Sequence, residues 1–174
     1  MRPWLGWPLG WAFTAAAVFA TGGTAGWTQS PPWHAAVGIA LGAAGMFAGA
    51  WWSRGRRAAA AYAAAFVLAI GILKLGLLGE EMLSLFLAGG IVGLIGESAR
   101  RPFDLGRTFR WGAAFAIGAF LMLFPGSYIS HFAGVLAERI TGLQSADMVG
   151  IVLGAALAGA LCGALVNLIG DPDD

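Results

Sequence analysis

Residues 148–169 read MVGIVLGAALAGALCGALVNLI. No residue in the stretch is charged, and it is as long as the roughly 20 apolar residues that a bilayer-crossing helix needs. It therefore predicts a spanning helix. Its glycines say more. Lipid gives helices no hydrophobic reason to associate, so small residues four apart, which let backbones approach closely, take over that role. Gly150 and Gly154 form one such pair. Gly159 and Gly163 form a second, rotated by about half a turn. A helix with small residues on two opposite faces is expected either to sit at the centre of a bundle or to meet another protomer on one face.

Residues 149–156, VGIVLGAA, nearly repeat residues 37–44, VGIALGAA. The earlier stretch continues differently. Gly38, Gly42, Gly45 and Gly49 lie within about 60° of one another on a helix, which makes a one-sided seam. Gly89, Gly93 and Gly96 repeat those offsets in a third segment. The shared letters are read as one packing solution used twice rather than as a tandem repeat.

Working outward, six apolar segments appear: about Trp4–Gly26, His34–Trp52, Ala58–Leu78, Met82–Glu97, Trp111–Tyr128 and Met148–Ile169. The composition agrees with a lipid solvent. Of the 174 residues 59% are hydrophobic and only 11% charged, against about 25% charged in soluble domains, and the mean hydropathy is +0.77. The expected fold class is all-α: a polytopic integral membrane protein of about six transmembrane helices in three hairpins, forming one helical-bundle domain over residues 1–174. Arg2 before an apolar run resembles a secretory signal, but the run from Trp4 is long for one, so a retained first helix is expected.

With six spans the loops alternate sides. Arg2, Arg54, Arg56, Arg57, Arg100, Arg101, Arg107 and Arg110 fall on one side, and Lys74 and Arg139 on the other. That asymmetry predicts cytoplasmic termini, in a multi-pass protein of a bacterial inner membrane. The tryptophans near the segment ends are read as an interfacial belt. Pro125 interrupts the fifth segment. After it, Ile129, Phe132, Val135, Leu136 and Ile140 recur at helical spacing, which predicts a short amphipathic helix along the outer surface, the alternative being that the fifth segment simply continues past the kink.

The expected partners are the lipid bilayer and further copies of the chain or other membrane subunits. The net charge of +1 leaves no basic stripe for nucleic acid. The lone Cys162 excludes an intrachain disulfide. Lys74 in GILKLGLLGEE, with Glu80 and Glu81, is a candidate cation or proton site, its simpler role being an amine that snorkels to the interface. His34 and His131 share the outer side, so haem ligation through them is an option, although no cofactor is expected. Zinc is not expected, because no third or fourth ligand has a useful spacing. Ser127, Tyr128, Ser130 and His131 cluster after Pro125 with no carboxylate nearby in sequence to orient the histidine, so an enzyme is not expected. Glu97 is expected to pair with Arg100 and Arg101. Residues 97–105, ESARRPFDL, are similar to a cytoplasmic loop of the membrane subunit that builds the quinone chamber of respiratory NADH dehydrogenase. The similarity covers nine of 174 residues. That family's further acidic residues are replaced by Gly106-Arg107-Thr108-Phe109-Arg110, and no function is carried over. The sequence leans towards a transporter or channel component for a small or apolar solute, with a non-catalytic subunit or assembly factor of a larger membrane complex as the alternative.

Overall fold

The computed structural model describes residues 3–21, 32–74, 81–98 and 102–170. Of these, 94% are helical and none is in a strand. A single turn at Pro3–Leu5 leads into α1 (Gly6–Ala20). Then follow α2 (Pro32–Arg54), α3 (Arg56–Lys74), α4 (Glu81–Ser98), α5 (Leu105–Leu123), α6 (Pro125–Thr141) and α7 (Ser145–Gly170). Among the described residues, three helices are long and apolar enough to cross a membrane: α2, α5 taken together with α6, and α7.

Local chemistry sets the joints. Gly55, at φ +89°, turns the chain sharply between α2 and α3, a left-handed conformation that costs glycine little. The carboxylate of Asp104 caps α5 by accepting from the backbone N–H of Gly106 at 2.8 Å, which satisfies a donor that the helix itself cannot. Pro125 opens α6 at its first position, where its missing N–H costs nothing. Gly142, at φ +69°, ends α6.

The helix after Pro125 does not leave the bundle as a separate surface strip. It runs on from α5 after a single residue, Phe124, and pairs with α7 along its length. Gly126 faces Ala158, Ser130 and Ala133 face Gly154, and Gly134 faces Gly150. Upstream, Gly118 faces Val166 and Trp111 lies against Gly170. The two partners count in opposite directions, so α5 and α6 together run antiparallel to α7. The small residues of α6 meet α7, and the apolar edge carrying Tyr128, Phe132 and Ile140 faces away from the chain's other helices.

α7 is central, as its two glycine faces suggest. Gly159 and Gly163 receive the backbone of α1 at Trp11 and Trp7, and Gly150 and Gly154 receive α6. The second face is thus filled from within the chain. The other seams are used in the same way. Gly45 and Gly49 meet Gly6 and Gly10 of α1, while Gly89 and Gly93 meet Gly112 of α5. Added side chains at these positions would collide with neighbouring backbone.

Candidate functional site

The one ion pair among the described residues joins Arg54, the last residue of α2, to Glu97 near the end of α4. Both side chains are 3% exposed. Arg54 Nη1 donates to Glu97 Oε1. The hydroxyl of Tyr62 on α3 donates to the same oxygen at 2.8 Å. The Arg54 guanidinium lies 3.6 Å above the ring centre of Trp111 on α5 and 6.0 Å from that of Trp7 on α1. Stacking on an indole face stabilises a desolvated guanidinium. Five helices therefore converge on one buried charge pair.

The glycines explain how the node fits. A side chain at Gly96 would strike the Tyr62 ring, and one at Gly170 would strike the Trp111 ring. Tyr62 stacks on Phe115 at 5.5 Å, and Trp7 meets Tyr62 edge-on at 5.0 Å. Glu97 Oε2 is buried without a hydrogen-bond partner, and so are the indole N–H groups of Trp7, Trp11 and Trp111.

Beside the node, α1 to α5 surround a cavity of about 70 Å³ with wholly apolar walls. Phe115 and Trp11 belong to its lining and meet with their rings tilted at 47° and centres 5.3 Å apart, so they form its boundary with the node. Val18, Ile70, Ala88 and Met122 lie further along it. Thr14 also lines it, but its hydroxyl donates to the carbonyl of Gly42 at 3.0 Å.

Several sequence expectations change here. Glu97 pairs with Arg54 and Tyr62, because these are the groups that α2 and α3 bring to it; Arg100 and Arg101 lie outside the described residues. The side chain of Arg54, counted as a loop arginine, is buried although its backbone is partly exposed. Trp7, Trp11 and Trp111 are core residues, at most 2% exposed, while Trp4, Trp33, Trp51 and Trp52 are exposed as a belt requires. Lys74 ends α3 and Glu81 opens α4; Glu80 lies outside the described residues. His34, near the start of α2, packs edge-on to Trp33 at 3.7 Å. His131 is exposed on α6. α2 packs on α1 and α3, and α6 on α7 and α5, so the two histidines stand on different parts of the bundle. Among the described residues, no three His, Cys, Asp or Glu side chains group as a metal site.

Comparison with family profiles, characterised proteins and solved structures finds no match to the chain.

Proposed function

We propose that the chain is a six-span protein of a bacterial inner membrane, with both termini cytoplasmic, that passes a small uncharged solute by way of the α1–α5 cavity. The observation that carries this reading is the cavity itself, a wholly apolar space between five helices, bounded on one side by a buried ionic and aromatic node. An ionisable pair within a membrane bundle is costly and marks function by default. Here the pair holds together the helices that would have to separate for a solute to leave past Trp11 and Phe115. Arg56, Arg107 and Arg110 stand at the node's end of the bundle, and Arg139 near the opposite end, which agrees with the orientation expected from the charges.

The test is flux. Vesicles containing the purified protein are compared with protein-free vesicles by stopped-flow light scattering across a series of small uncharged solutes. Faster entry that disappears in Ala88→Phe, which fills the cavity, supports transport. Equal entry for every solute, with the protein shown to be folded, overturns it. A second reading, a non-catalytic subunit of a larger membrane complex, is favoured by the outer edge of α6, where Tyr128 and Phe132 are 78% and 69% exposed. Purification only in company with other polypeptides would support that reading.

A further inference from the structure

We propose that the outward groove between α4 and α5 binds an anionic phospholipid, with one acyl chain lying in the groove and the phosphate meeting Arg110 at its rim. The groove measures about 660 Å³, within the range of about 300–1,000 Å³ usual for small-molecule sites. Gly90 and Leu94 of α4 and Gly112 and Ala113 of α5 line it, and Leu105 and Phe109, 70% and 77% exposed, stand up as its wall. A side chain added at Gly90 would meet open space, so no described residue of the chain fills the recess. From Gly106 to Ala113 the lining covers about 10 Å of α5. The hydrocarbon of one leaflet is about 15 Å deep, so the groove has the right reach for the upper part of an acyl chain.

Charge identifies the occupant. Residues three and four apart are neighbours on a helix surface, so Arg110 stands beside two lining residues, Gly106 and Ala113. Arg110 is exposed, and the half-buried Arg107 adjoins it one turn earlier. The acid at this end of α5, Asp104, is committed as the cap, accepting from the backbone N–H groups of Gly106 and Arg107 at 2.8 and 3.4 Å. Two guanidinium groups against one carboxylate leave the rim positive. Lipid tails are as apolar as the groove walls, so the groove orients a chain while the headgroup supplies the selection. The proposal rests on the membrane reading and not on flux. Vesicles without flux would overturn transport and leave the lipid site standing.

The test is native mass spectrometry of the full chain in detergent, titrated with phosphatidylglycerol and with phosphatidylcholine of identical chains. The first phosphatidylglycerol is expected to bind at least about fivefold tighter than the first phosphatidylcholine, the size of one basic residue facing an anionic lipid. Arg110→Gln is expected to weaken phosphatidylglycerol by about fivefold and to leave phosphatidylcholine within about twofold. Arg139→Gln makes the same charge change at the opposite end of the bundle and is expected to alter neither. Gly90→Leu fills the groove without a collision and is expected to weaken both lipids alike. Gly90 and Arg110 are both exposed, so these variants are expected to fold. Equal binding of the two lipids, a preference undiminished in Arg110→Gln or lost equally in Arg139→Gln, or binding unchanged by Gly90→Leu would overturn the proposal. Displacement of the lipid by an equal concentration of soluble glycerol phosphate would reduce the site to one for phosphate alone and overturn it. A dimer that Gly90→Leu dissociates would assign the groove to a second copy and overturn it as well.

Discussion

At the scale of single residues, Glu97 Oε1 is the busiest atom in the node. It accepts from Arg54 and Tyr62, and so joins α2, α3 and α4. Taking one partner from a buried ion pair strands the other charge at a cost of about 3–5 kcal/mol, whereas replacing both with apolar groups is often neutral. Glu97→Leu is therefore expected to destabilise the protein by about 4 kcal/mol. The double variant Arg54→Leu/Glu97→Leu is expected to be more stable than Glu97→Leu alone. Tyr62→Phe removes one hydrogen bond to a charged group, worth about 2 kcal/mol. Denaturant unfolding in micelles, followed by tryptophan fluorescence, checks the order of these three. A double variant no better than the single would show that the node does not behave as a pair. None of this was legible in the sequence. Arg54 and Glu97 are 43 residues apart, both lie near segment ends, and rules for loop charges count an arginine without asking what it touches. The three core tryptophans were misread for a related reason: proximity to a segment end suits the interface and the interior alike.

At the scale of elements, the glycine spacings were legible because they are local and periodic. Gly42 and Gly154 occupy equivalent places in the two near-identical octapeptides, yet they do different work. Gly42 makes room for the ring of Phe66, and Gly154 for the backbone of α6 at Ser130. Local sequence reveals that a close approach occurs there, while the identity of the visitor is a tertiary matter. The seam on α4 gives a sharp contrast between neighbours. An added side chain at Gly89 would meet the backbone of Gly112, and one at Gly90 would meet open space. Gly89→Leu is expected to cost at least about 2 kcal/mol through overpacking. Gly90→Ala is expected to be neutral or to stabilise by up to about 1 kcal/mol through helix propensity. The same unfolding measurement distinguishes them, and equal losses at both positions would contradict the packing of α4 on α5. The helix after Pro125 was foreseen as a helix, with a surface strip preferred over the continuation of the fifth segment that is found. Its small face, Gly126, Ser130 and Gly134, is as informative as its apolar edge, and reading the apolar residues alone suggested a surface strip.

At the scale of the whole molecule, α5 and α6 together run for 37 residues, about 55 Å at 1.5 Å per residue. A hydrocarbon layer is about 30 Å thick. On the membrane reading, the far end of the α6–α7 hairpin, with Glu138, Arg139, Gln144 and Asp147, stands clear of the lipid. Single cysteines introduced at Arg56 and Gly142, in a Cys162→Ala background, are therefore expected to react with a membrane-impermeant maleimide from opposite faces of oriented vesicles. Labelling of both from one face would refute the proposed orientation.

The Arg54–Glu97 pair also sets an order of events. The ribosome delivers Arg54 well before its partner exists; at about 5–20 residues per second the wait for the intervening 43 residues lasts roughly 2–9 s. Throughout that interval the guanidinium cannot make its contact with Glu97, so the junction of α2 and α3 beside Gly55 is not closed by that pair until α4 arrives. Synthesis of the fourth helix is thus the moment at which this end of the bundle can become dry.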